Sequence, residues 1–203
     1  MLTDKHLFAK LWLASYLVTE PENAIVVDDA GKVKGYLVAA FNPRFKRRAF
    51  WATLPWAIVL GLKLASGCYA KAPGMRKWAR WILFHSWREV PAHPHGSPHF
   101  HFNLDADVRG SLRLGDRLVE EFERRVRARG GKSWHSIVFS SPNKRTPAFY
   151  ERLGFEIYAS SPCSLFGDDT SFLTIVKHLK PLSETVGVTT PQRRTESTQG
   201  VKR

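Results

Sequence analysis

A basic, glycine-containing turn lies near the middle of the chain: Asp105-Ala106-Asp107-Val108-Arg109-Gly110-Ser111-Leu112-Arg113-Leu114-Gly115. It follows a strand-like run at 99–104 and opens an amphipathic helix over 115–129. Glycine lets a backbone approach a ligand closely, and the first N–H groups of a helix point outward with the helix dipole behind them. Such a turn is suited to an anion; it is equally a plain strand-to-helix connection with two glycines. Just upstream, His99, His101 and Asn103 alternate with Phe100, Phe102 and Leu104, so the two imidazoles share one face of a strand. An imidazole near a cleft can accept a proton directly or through water. The pair can also be hydrogen-bonded structural histidines. Glu89 and Asp105 are the other candidate bases. His93 and His95 lie in a Pro/His/Gly loop, and no Cys or carboxylate set stands at ligand spacing with them, so no metal site is expected.

The elements that must position these groups follow from spacing. Residues 6–18 carry Leu7, Leu11, Ala14 and Val18 at helical spacing, with Phe8, Trp12 and Tyr16 adjoining, and Pro21 ends the helix. Runs at 24–29 and 33–41 form a hairpin about Asp29-Ala30-Gly31-Lys32, and the second run lacks alternation, as a strand buried on both faces does. Residues 49–62 are uncharged; 14 residues fall short of the ~20 that a membrane span needs, and Pro55 is expected to interrupt the helix. A buried or interfacial helix fits better. After the Pro73-Gly74 turn, 75–87 interleaves bases with aromatics, and Trp78, Trp81 and His85 fall on one stripe. Beyond 99–104 the chain alternates: helix 115–129 closed by Gly130-Gly131, strand 136–140, helix 146–153 closed by Gly154, and strands 155–160 and 171–178. Residues 182–203 are rich in Thr, Ser, Gln and Arg, and are expected to form a disordered tail on a domain spanning 1–181.

The segment Ser141-Pro142-Asn143-Lys144-Arg145-Thr146-Pro147-Ala148-Phe149-Tyr150-Glu151-Arg152-Leu153-Gly154-Phe155 resembles the GNAT superfamily of N-acetyltransferases. That family reads Arg-Gly-x-Gly-x-Gly after a central strand, then Asn-x-x-Ala-x-x-x-Tyr-Glu-x-x-Gly-Phe. Here Asn143 stands seven residues before Tyr150, and residues 150–155 match the closing hexad. The resemblance covers 24–180. It implies an α/β fold with a mixed, mostly antiparallel central sheet flanked by helices, here with an enlarged helical insertion before the central strand. It implies acetyl-CoA as co-substrate. The backbone of the 99–104 strand, including Asn103 and Leu104, would pair with the pantetheine arm. Arg109, Gly110, Ser111, Leu112, Arg113, Leu114 and Gly115 would hold the pyrophosphate, and Asn143 would contact the CoA arm. Tyr150 would protonate the departing thiolate, with His101 as candidate base. The implied reaction is direct acetyl transfer to a primary amine in a ternary complex, and neither Cys68 nor Cys163 falls in a motif for an acyl-enzyme. Two departures stand out. Leu112 and Leu114 replace family glycines unless the loop carries one extra residue before Gly115, and the first strand and much of the first helix are short or missing before Phe8. The altered loop keeps a second reading open: a non-catalytic CoA-binding or membrane-peripheral module.

The net charge is +13 over 203 residues, and segment 44–90 holds ten bases against one acid. Most of the excess therefore lies outside the cofactor motifs. In the family this segment sits on the acceptor side. It can line an acceptor pocket, rest on an anionic membrane with Trp51, Trp56, Trp78, Trp81 and Trp87 at headgroup level, or pack on the sheet with its bases in water. The expected acceptor is a small-molecule or peptide amine. No nucleic-acid module accompanies the bases, so no nucleic-acid partner is expected. A homodimer is compatible with the chain. Two distant cysteines and no signal-like N-terminus lead to the expectation of a cytoplasmic protein, with peripheral membrane contact left open.

Overall fold

The computed structural model of the protein describes residues 4–108, 113–140, 146–167 and 169–180. The chain runs through helices α1 (Lys5–Trp12) and α2 (Ala14–Thr19), strands β1 (Ile25–Asp29) and β2 (Lys32–Ala40), and helices α3 (Phe45–Ala65), α4 (Pro73–Phe84) and α5 (Ser86–Glu89). Strand β3 (His99–Leu104), helix α6 (Leu114–Ala128), β4 (Ser133–Ser140), α7 (Thr146–Arg152), β5 (Glu156–Pro162) and β6 (Ser171–His178) complete it. The six strands form one sheet in the order β1-β2-β3-β4-β6-β5. Only β3 and β4 run parallel; the other neighbours are antiparallel. This is the mixed, mostly antiparallel sheet expected from the sequence, with α3 to α5 inserted before the central strand.

Local chemistry accounts for the elements. Asp4 caps α1 by accepting from the Leu7 N–H at 3.1 Å, and the same carboxylate takes Lys63 at 2.6 Å and the Tyr69 hydroxyl at 3.1 Å. The β1–β2 hairpin turns on Ala30 and Gly31, both at positive φ (50° and 82°), the two-residue turn whose twist matches paired strands. The buried Glu20 carboxylate accepts the Phe41 and Asn42 N–H groups at 2.8 and 3.1 Å, and so fixes the chain as it leaves β2.

Helices cover both faces of the sheet. On one face Phe100, Leu118, Phe122, Val126, Trp134 and Tyr150 join β3 and β4 to α6 and α7. On the other, Leu7, Leu60, Met75, Trp78, Trp81 and Phe172 join α1, α3 and α4 to the far side.

Four expectations need correction. The N-terminal helix is two short helices that part at Leu13. Helix α3 runs unbroken through Pro55; Pro55 is exposed, so the carbonyl that loses its N–H partner can turn to water. Helix α4 ends at Phe84, so His85 leaves the Trp78–Trp81 stripe and is exposed. Strand β4 starts three residues earlier than expected, at Ser133 rather than Ser136, because Trp134 is drawn fully into the core.

Candidate active site

The site grows from one break in the sheet. Strands β3 and β4 share a single register pair, His99 with His135, where the His135 N–H donates to the Pro98 carbonyl at 2.9 Å. One step on, the buried Ser136 hydroxyl donates to the Phe100 carbonyl at 2.8 Å, a side chain closing a gap the backbones no longer span. Each strand is paired along its whole outer edge, β3 with β2 and β4 with β6. Past His99 and His135 the inner edges of β3 and β4 make no further ladder pairs with each other, which leaves an opening between the two strands.

The two sides of that opening differ. On the α6–α7 side stands Tyr150, 7% exposed, its ring against Phe102, Phe149 and Phe155 at centroid distances of 6.2, 5.1 and 5.4 Å. Burial raises its phenol well above the ordinary tyrosine range. It is a proton donor at any physiological pH. On the opposite side a column of imidazoles crosses the two strands. His101 lies edge-on to His99 at 4.5 Å, His99 stacks on His135 at 5.0 Å, and His135 stacks on His93 at 5.2 Å. Trp12 and Tyr16 pack on His101 at 5.5 and 5.8 Å, and the Tyr16 hydroxyl meets His99 Nδ1 at 3.0 Å. Burial pushes His101 and His135 down to about 4, and His99 well below its ordinary value, with neighbouring histidines adding to the effect on the latter two. Lys46 donates to His93 Nε2 at the outer end. A cavity of about 400 Å³ opens beside the column, lined by Phe41, Phe45, Lys46, His93, His99 and His135.

Neither a family model nor a curated protein matches the chain. Solved structures do. SsHAT overlays with a TM-score of 0.50 over 87% of this chain and 82% of its own, at 22% identity. Chaetomium thermophilum Naa20, solved in complex with a bisubstrate analogue, overlays with 0.51 over 87% and 82%, at 14% identity. A third structure, described as an acetyltransferase, gives 0.50 over 86% and 79%, at 15% identity. The chain has the GNAT fold. At these identities the likeness is one of fold.

Within the GNAT fold, the residues expected from sequence fall as follows. His101 and Tyr150 lie on opposite faces of β3, one on each side of the opening. Asn103 is exposed near the end of β3, opposite Tyr36 on β2. Leu104 is buried in the core, so what it can offer a ligand is backbone. Arg113 precedes α6 in the left-handed region (φ 51°), and its exposed side chain pairs with Asp116 at 3.2 Å. Asp116 also takes Arg152 through two bonds of 3.1 and 2.7 Å, which ties α6 to α7. Leu114 packs against the core. Gly115 is where α6 meets α7: a Cβ there would lie 3.2 Å from Phe149. Arg109, Gly110, Ser111, Leu112 and Asn143 lie outside the described residues, as does the tail beyond 180.

Glu89 is engaged elsewhere, accepting from the Trp81 indole at 2.7 Å and from Ser164. Burial alone would raise its pKa; the bonds from Ser164 and Trp81 hold it below its usual value. Among the described residues no group of three or more His, Cys, Asp or Glu is placed to hold a metal. Sequence reasoning missed His135 and Ser136. Strand parity puts His135 opposite Trp134, which is a usable signal, but only the sheet register brings it beside His99.

Proposed function

We propose that this protein transfers the acetyl group of acetyl-CoA to a primary amine, directly, at the opening between β3 and β4. The observation that carries the reading is the pair of chemically opposite groups on the two sides of that opening. A buried, protonated phenol faces one way and neutral imidazoles face the other. Displacement at a thioester needs this polarity, because nitrogen loses a proton as sulfur gains one.

The residues present suit acetyl-CoA. The inner edge of β3 provides backbone groups for an extended arm, and Arg113 brings positive charge to the start of α6. Bound there, acetyl-CoA supplies the activated acyl carbon. A C–N bond forms at that carbon and the C–S bond breaks. Tyr150 gives its phenolic proton to the leaving sulfur, and backbone N–H groups at the strand edge steady the carbonyl oxygen as it gains charge. His101 takes the proton from the nitrogen, directly or through water. With its pKa near 4, His101 cannot strip a free ammonium ion. It accepts the proton only once the C–N bond has begun to form, so the acceptor enters as the neutral amine.

This fixes the expected pH profile. With acetyl-CoA saturating, kcat/KM for the acceptor should rise with pH through the acceptor's own amine pKa and show no inflection near 6.5. An inflection at 6.5 that disappears in His101→Gln would show a histidine of ordinary basicity and contradict the step. The assay is thiol release from acetyl-CoA against a panel of small amines, amino acids and peptide N-termini. Release that requires both partners supports transfer. Binding of acetyl-CoA without release for any acceptor favours the second reading, a non-catalytic CoA-binding module. The observation on that side is the loop sequence, where Leu112 and Leu114 stand in place of glycine.

A further inference from the structure

We propose that the outer face of α3 docks this protein on an anionic membrane surface. The inference is independent of the reading of the cleft. Helix α3 is 21 residues long and only Leu60 is fully buried. Its outward stripe, at three- and four-residue spacing, reads Arg44, Arg47, Arg48, Trp51, Pro55, Ile58 and Leu62, and every one of these is exposed. Trp51, Ile58 and Leu62 are 65%, 56% and 65% exposed, and Val59 and Phe50 flank them. A surface helix ordinarily turns its polar side to water. Here the apolar stretch between Trp51 and Leu62 faces outward for ~16 Å.

The order along the stripe selects the partner. Three arginines come first, then a tryptophan, then aliphatic side chains. A membrane surface presents phosphate, interface and hydrocarbon in the same sequence. Lys63, at the aliphatic end, is ion-paired with Asp4 and adds no free charge there. The surrounding segment 44–90 has a single acid, Glu89, already held by Trp81 and Ser164. An anionic lipid surface therefore meets little local repulsion. No helix among the described residues is long and apolar enough to cross a membrane, so the contact is peripheral, with the C-terminal half of α3 the deeper end.

This face also corrects the sequence-based picture. Trp78 and Trp81 are buried and Trp56 is partly buried, so of the five tryptophans expected at headgroup level only Trp51 and Trp87 are exposed.

Co-sedimentation of the full chain with phosphatidylcholine vesicles, with and without 30% phosphatidylglycerol, tests the proposal. Binding to the anionic vesicles should exceed binding to the neutral ones about tenfold, and fall about tenfold between low and ~0.5 M salt. Ile58→Glu with Leu62→Glu should abolish it, and Arg47→Glu with Arg48→Glu should remove the anionic preference. All four positions are exposed, so the thermal melting of these variants should match that of the parent. No sedimentation with anionic vesicles, or sedimentation unchanged in both double variants, overturns the proposal. So does a concentration-dependent dimer in light scattering that Ile58→Glu with Leu62→Glu dissolves, because the face would then belong to a second copy of the chain.

Discussion

Tyr150→Phe is expected to lower kcat for acetyl transfer about a hundredfold or more while leaving acetyl-CoA affinity and thermal stability nearly unchanged. The asymmetry follows from where the ring sits. Phe102, Phe149 and Phe155 surround it, and a phenyl ring fills the same volume. The variant loses one hydroxyl and nothing of the packing. If the tyrosine serves only the core, turnover will not change. If it is the acid, leaving thiolate departs without a proton, and a thiol of much lower pKa should restore the rate. Comparing acetyl-CoA with an acetyl thioester of a more acidic thiol separates the two cases. The wild-type rate should respond weakly to the leaving group and the variant strongly.

The second large effect is on stability. Burial holds His101 and His135 near 4 and His99 well below its ordinary value, with neighbouring histidines adding to the effect on His135 and His99, while unfolded histidines titrate near 6.5. Between those values the unfolded chain binds protons that the folded chain refuses. Stability is therefore full above pH 6.5 and falls as pH drops toward 4. The loss is on the order of 3 kcal/mol for each of His101 and His135. Lys46 and His93 at the outer end of the column add positive charge, and Glu20 acts on Tyr16, which packs on the column. Urea midpoints at pH 7.5, 5.5 and 4.5 test this: the midpoint should fall steadily across the interval. His135→Leu, which removes one of the buried bases, should flatten the curve. A midpoint constant down to pH 4.5 would mean that the column titrates in the folded protein as it does in the unfolded chain.

Much of this architecture was legible in the chain. Alternation placed His99 and His101 on one face of β3, spacing placed Leu118, Phe122 and Val126 on the buried side of α6, and the Asn143-to-Phe155 block pointed to the fold. What stayed hidden has a common physical cause: it depends on which element lies beside which. His135 joins His99 only through the β3–β4 register, and nothing local to Trp134-His135-Ser136 announces it. From Ala49 to Leu62 helix α3 carries no charge on any side, so this stretch has no phase that says which face meets α1 and α4. In the sequence Trp78 and Trp81 stand with Trp51 as tryptophans that could sit at headgroup level. Packing of α4 on Phe172 and Phe8 buries the first two, and the outward stripe of α3 leaves the third in solvent.

Calorimetric titration of the intact protein with acetyl-CoA is the decisive experiment for acetyl transfer, because the reaction requires the parted strands to hold that molecule. Saturable one-to-one binding is expected, with Kd in the range of about 1 μM to 1 mM, weakened when Arg113 is replaced by Glu. No heat and no thermal shift at a few millimolar acetyl-CoA (about the weakest affinity a working enzyme uses) would contradict it.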